Sequence, residues 1–176
     1  MIDLRKMTIS ATDAVKLAFG PSEFFHEPQV PREILDENKA LHAMLGSEER
    51  EEVELRLGQW TIRGKPDFFD AQKVVEVKVA RPLSDRMRLL RTAIYQGLIY
   101  ARAIDALTVE VWLYNYSSGD VDVRTYSVDE LNAPDFFTTI EANLNKLASL
   151  RSFRAPDRIF YKPTENKIAR AVRKFE

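Results

Sequence analysis

Asp67, Glu76 and Lys78 are the residues of this chain whose types and spacing could do chemistry. Pro66-Asp67 closes one apolar segment, and Glu76-Val77-Lys78 sits inside the next. Strand side chains alternate between faces, so Glu76 and Lys78 point one way while Val75, Val77 and Val79 point the other. If the two segments pair as a hairpin across Asp70-Ala71-Gln72-Lys73, Asp67 approaches Glu76. Two carboxylates about 4 Å apart repel by about 4 kcal/mol at an effective dielectric of about 20. A divalent cation removes that penalty. The pattern asks for Mg²⁺ or Mn²⁺ with a lysine beside it, a set suited to hydrolysing a phosphodiester.

A plainer reading competes with it. The chain is 30% charged and holds three Glu-x-Lys triplets, at Glu37–Lys39, Glu76–Lys78 and Glu165–Lys167. The outer two lie among polar residues and read as solvated surface. Only the middle one interrupts an apolar run and follows a Pro-Asp. Its ordinary alternative is a half-buried strand with the polar face in water.

The flanking elements must position these groups. Leu89, Leu90, Ala93, Ile94, Gly97, Leu98 and Ala101 recur at helical spacing, which predicts a helix over Ser84–Asp105 with Ser84 as its N-cap. Gln96 and Tyr100, the chain's one Gln-x-x-x-Tyr, share a face of that helix. Upstream, a helix over Ile34–Leu45 carries Leu41, Met44 and Leu45, with His42 beside the apolar stripe. A lone histidine there also reads as a rim residue, and Tyr100 as a core aromatic.

Taken in order, His42, Asp67, Glu76-x-Lys78 and Gln96-x-x-x-Tyr100 resemble the PD-(D/E)xK nuclease superfamily. The context Leu-His-Ala-Met-Leu around His42 is similar to its RecB-like branch, which includes the CRISPR-associated exonucleases. The resemblance covers about residues 35–105. It implies an α/β restriction-endonuclease-like core, a mixed central β-sheet flanked by helices in αβββαβ order. It implies Mg²⁺ or Mn²⁺ held by Asp67, Glu76, the Val77 carbonyl and the His42 imidazole. Lys78 would then orient or deprotonate the attacking water, or stabilise the developing charge, and Gln96 and Tyr100 would position a phosphate or Lys78. Exonuclease action on DNA ends or single strands follows as the expected activity. Two alternatives stay open: a DNA-binding subunit that cleaves only within a complex or not at all, and a restriction- or transposition-type endonuclease. Many such relatives carry four cysteines for an iron–sulfur cluster. This chain has none, which excludes a cluster, a disulfide and a thiolate metal site.

Composition agrees with a globular protein. The chain of 176 residues is 45% hydrophobic, which suits a single domain over 1–176 with a basic extension at 151–176. No run approaches the length of a membrane span and no apolar leader opens the chain, so a cytoplasmic protein without a membrane partner is expected. DNA is the expected partner, and a homo-oligomer or a helicase- or integrase-type partner is compatible with it. The net charge of −1 hides a contrast: eight acidic residues lie between Glu33 and Glu54, and eight basic ones between Arg151 and Glu176. Arg81, Arg86, Arg88 and Arg91 form a further basic group that could guide phosphates past the carboxylates.

The remaining periodicities give a coarse map. Ser10–Asp13 opens a helix reaching Phe19, and a loop runs from Phe24 through Pro28 and Pro31. Strands are expected at Val53–Leu57, Trp60–Arg63, Pro66–Phe69, Val74–Ala80, Leu107–Tyr114 and Val121–Tyr126, with a turn at Ser117–Asp120. Pro134 starts a helix bearing Phe136, Phe137, Ile140, Leu144 and Leu147, and Ile168–Phe175 is a candidate basic helix. Trp60 and Trp112 read as packing residues, while Tyr116 beside the turn could stack on an unpaired base.

Overall fold

The computed structural model describes residues 2–3, 6–19, 32–44, 50–81, 86–131 and 134–149. The expected Ser84 cap, the loop at 24–31 and the basic helix at 168–175 lie outside the described residues. In chain order the elements are β1 (Ile2–Asp3), β2 (Thr8–Ser10), α1 (Ala11–Phe19), α2 (Arg32–Met44), β3 (Val53–Leu57), β4 (Trp60–Gly64) and β5 (Phe68–Phe69). They continue as β6 (Lys73–Ala80), α3 (Arg86–Ile104), β7 (Thr108–Asn115), β8 (Val121–Ser127), α4 (Val128–Leu131) and α5 (Pro134–Ser149). The result is an α/β protein whose mixed sheets are flanked by helices.

The strands divide into two four-stranded sheets, β1-β2-β4-β3 and β5-β6-β7-β8. Each contains one parallel pair, β2 with β4 and β6 with β7, and antiparallel pairs elsewhere. The parallel pairs arise because a helix intervenes: α3 alone separates β6 from β7, making a β-α-β unit. The short strands β1 and β2 and the short helix α4 were not expected from the sequence. Two- to four-residue elements are too brief for a period to register.

Local chemistry explains several boundaries. Ser10 Oγ accepts from the Asp13 N–H at 3.1 Å and so caps α1. Asp70 Oδ1 accepts from the N–H groups of Gln72 (2.8 Å) and Lys73 (2.9 Å), an Asx turn that folds β5 back on β6. Gly58, at φ 57°, makes the turn between β3 and β4.

The core lies between the sheets and α1, α3 and α5. Leu90, Ala93, Ile94, Leu98 and Ala101 of α3 are buried against Val74, Val109, Val111 and Leu113. Each fully buried large aliphatic side chain contributes about 1.5–3 kcal/mol. Phe19, Tyr95 and Phe136 join α1, α3 and α5, with ring centroids 4.0 and 4.5 Å apart at Tyr95. Among the described residues no helix is long and apolar enough to cross a membrane.

Candidate active site

The antiparallel register of β5 and β6 pairs Phe68 with Val75 and Phe69 with Val74. One step further along the same register, Asp67 stands opposite Glu76. Asp67 Oδ2 accepts from the backbone N–H of Val77 at 2.7 Å, which fixes the carboxylate against β6. Both carboxyl groups are buried, Asp67 at 5% exposure and Glu76 at 3%.

The plainer expectation of a strand with its polar face in water is overturned here. Register pairs Glu76 with Val111 and Lys78 with Leu113, and these partners belong to the face packed under α3. A buried carboxylate on that face needs partners, because its charge has lost its water. Lys78 Nζ supplies one, 2.9 Å from Glu76 Oε2.

Asp67 has others. His42 Nδ1, on α2, lies 3.1 Å from Asp67 Oδ1, and Arg50 Nη1 lies 2.7 Å from the same oxygen. Arg50 Nη2 is 2.8 Å from His42 Nδ1. Arg50 precedes β3 and did not stand out in the sequence, where it reads as one cation inside the acidic run Glu48–Glu54. No local pattern marks it; only the tertiary fold brings it to Asp67.

These environments pull the two carboxyls apart. Burial pushes Asp67 up, but the His42 ring, the Val77 N–H and the Lys78 charge outweigh it and leave its pKa below the usual range. Burial dominates at Glu76, reinforced by the Asp67 charge and only partly offset by Lys78, so its pKa is raised. Negative charge at Glu76 is therefore poorly compensated in this arrangement.

Tyr100 is buried on α3, and its hydroxyl approaches the β4 backbone so closely that a Cβ on Gly64 would lie 2.4 Å from it. Burial and then the charges of Glu76 and Asp67 raise its pKa well above the ordinary tyrosine value. Gln96 is placed differently. Its Nε2 donates to Thr12 Oγ1 at 2.7 Å at the start of α1, and its buried Oε1 has no hydrogen-bond partner among the described residues. Gln96 thus ties α3 to α1, a role that Thr12 gave no sequence signal for.

The basic group is largely paired. Arg81 bonds Glu37 and lies over the Tyr116 ring at 4.2 Å from its centroid, which covers one face expected for stacking. Arg86 and Arg124 both pair with Asp122. Trp60 is core, its Nε1 donating to Asn145 Oδ1 at 3.1 Å, and Trp112 donates to Glu110 Oε1 at 2.7 Å.

Among the described residues, no three of His, Asp and Glu converge as a preformed metal cage. The donor types nonetheless fit a hard divalent cation: two carboxylates facing across a hairpin, an imidazole nitrogen and the Val77 carbonyl. Glu76 already has Lys78 Nζ at 2.9 Å, and the place beside Asp67 and His42 already holds a cationic group, the Arg50 guanidinium. Ligation by Asp67 and His42 together requires that group to give way.

No protein-family model and no curated protein matches this chain. Among solved structures, the fold is similar to that of SSO0001, with a TM-score of 0.50 at 19% identity over 83% of this chain and 79% of that one. An alkaline exonuclease (LHK-Exo) from Laribacter hongkongensis superposes with a TM-score of 0.49 at 12% identity, over 81% of this chain and 89% of that one. The same exonuclease in complex with dAMP gives 0.49 at 11% identity over the same shares, 81% and 89%. At such identities the likeness concerns the fold alone.

Proposed function

We propose that this chain is a metal-dependent deoxyribonuclease of the PD-(D/E)xK type, acting on DNA ends or single strands. The observation that carries the reading is the pair of buried carboxylates, Asp67 and Glu76, opposed across one hairpin with Lys78 bonded to Glu76. Burying two acids side by side costs folding energy, which a role in holding a cation would account for.

In this reading Asp67, Glu76, the Val77 carbonyl and His42 hold Mg²⁺ or Mn²⁺. When bound, the ion supplies Lewis acidity to the scissile phosphate and acidifies water. Lys78 Nζ, fixed by Glu76 Oε2, orients or deprotonates the attacking water, or donates to the charge that develops on phosphorus oxygens. The Tyr100 hydroxyl, packed against Gly64, holds the inner wall of the site. Gln96 acts at one remove, by fixing α3 against α1.

Digestion of end-labelled single- and double-stranded DNA with Mn²⁺ tests the proposal. Nucleotide release from labelled ends, abolished by Glu76→Ala and Lys78→Ala in folded protein, is the expected result. Undiminished cleavage by both variants would refute the assignment. The Arg50 guanidinium held on Asp67 favours a second reading, a DNA-binding subunit that cleaves only in a complex or not at all. It predicts DNA binding without turnover at any Mn²⁺ concentration.

A further inference from the structure

We infer that Arg50 is a phosphate-binding residue of this site, held on Asp67 and His42 until a divalent cation takes its place. The inference rests on the nuclease reading and goes beyond it. Arg50 Nη2 lies 2.8 Å from His42 Nδ1, the ring nitrogen that is also 3.1 Å from Asp67 Oδ1. Arg50 Nη1 meets Asp67 Oδ1 at 2.7 Å. One guanidinium thus sits against a ring nitrogen and a carboxylate oxygen from different elements, α2 and the β4–β5 connection. The guanidinium thereby occupies the place beside Asp67 Oδ1 and the His42 ring that a metal ion held by those two residues would need.

The cation and the guanidinium cannot share that place, because their charges repel at contact distance. Arg50 has somewhere to go. Its side chain is 26% exposed and lines an open groove of about 750 Å³ along α2. Leu35, Asn38, Lys39 and His42 form the α2 side of that groove. Leu35, Lys39 and His42 are spaced so that they share one helical face. The groove is roomy enough for a nucleotide and is lined by His42 and Arg50, the two residues that contact Asp67. It offers Lys39 and the released Arg50 as cations, and a guanidinium matches phosphate in geometry better than an ammonium does. Arg50 would thus leave the carboxylate as the metal arrives and meet the incoming strand at its phosphate.

The test uses the full chain and the variants Arg50→Ala and Arg50→Lys, with folding checked by thermal melts. Mn²⁺ binding without DNA is measured by calorimetry. Binding of a fluorescent single-stranded oligonucleotide in Ca²⁺ is measured across a salt series. Arg50→Ala is expected to bind Mn²⁺ about fivefold more tightly, since the competing ion pair is gone. Its salt slope for the oligonucleotide should be shallower by about 0.7, the loss of one phosphate contact. Arg50→Lys, with charge but no fork, should fall between wild type and Arg50→Ala in Mn²⁺ affinity and keep the wild-type slope. Unchanged or weaker Mn²⁺ binding in Arg50→Ala, or an unchanged salt slope, overturns the inference while leaving the metal site standing. A wild-type chain that binds no Mn²⁺ overturns the nuclease reading together with this one.

Discussion

Asp67 Oδ2 is clamped by the N–H of Val77 at 2.7 Å while Asp67 Oδ1 faces Arg50 and His42. One carboxylate thus has a structural oxygen and an oxygen turned to cations. Asp67→Asn separates the two roles, because an amide oxygen still accepts from Val77. The variant should fold but lose about 1–2 kcal/mol in EDTA, as Arg50 is left facing a neutral group. Wild type should gain melting temperature on adding Mn²⁺, and the variant should gain none. Differential scanning fluorimetry with and without Mn²⁺ reads both.

Glu76 gives the opposite sign. Its folded-state pKa is raised, so the metal-free protein is destabilised as pH climbs from the ordinary glutamate value of 4.5 through the folded value. Below that window Glu76 is protonated in both folded and unfolded chains and contributes nothing to the difference. Glu76→Gln should therefore be more stable than wild type at neutral pH in EDTA, by about 1 kcal/mol, with the gain vanishing in acid. Urea melts at several pH values check it. Asp67 works against this trend in wild type: its lowered pKa adds stability that is lost as pH falls through its folded value.

The sequence made the hairpin legible because each signal was local. Asp70 beside Gln72 and Lys73 marks a turn, and valine alternation marks β6, so the opposition of Asp67 and Glu76 could be inferred. Which face of β6 meets α3 could not. A Glu and a Lys on one face read as exposed until a covering helix is known, and Gly97 is the residue that lets α3 approach. Arg50 and Thr12 were invisible for a related reason. Each acts on a partner far along the chain, Arg50 on Asp67 and Thr12 on Gln96, and neither distance leaves a period in the sequence.

Tyr100 and Gly64 yield a prediction about the wall of the site. A Cβ on Gly64 would lie 2.4, 2.6 and 2.9 Å from the Tyr100 hydroxyl, Cε1 and Cζ atoms, so the whole ring must move. Gly64→Ala should cost about 1–3 kcal/mol. It should also lower Mn²⁺-dependent cleavage more than Tyr100→Phe does, because the phenylalanine keeps the wall in place and loses only a hydroxyl. Cleavage assays at a temperature where circular dichroism finds both variants folded make the comparison.

Gly97 and Val109 set how closely α3 lies on the sheet that carries Glu76 and Lys78. A Cβ on Gly97 would meet Val109 Cγ1 at 2.4 Å, with Cγ2 at 3.4 Å and Cβ at 3.5 Å, and nothing else nearer. Gly97→Ala should destabilise by about 1–3 kcal/mol through overpacking. Val109→Ala should cost a similar amount, about 1–3 kcal/mol, through the cavity it leaves. Together they should cost less than the sum, since the new methyl enters the space that Val109 vacates, with a coupling of about 1 kcal/mol. A double-mutant cycle by urea denaturation measures it. Strict additivity would mean that α3 yields instead, and then Gly97→Ala should disturb Glu76, which lies on the same face of the sheet as Val109.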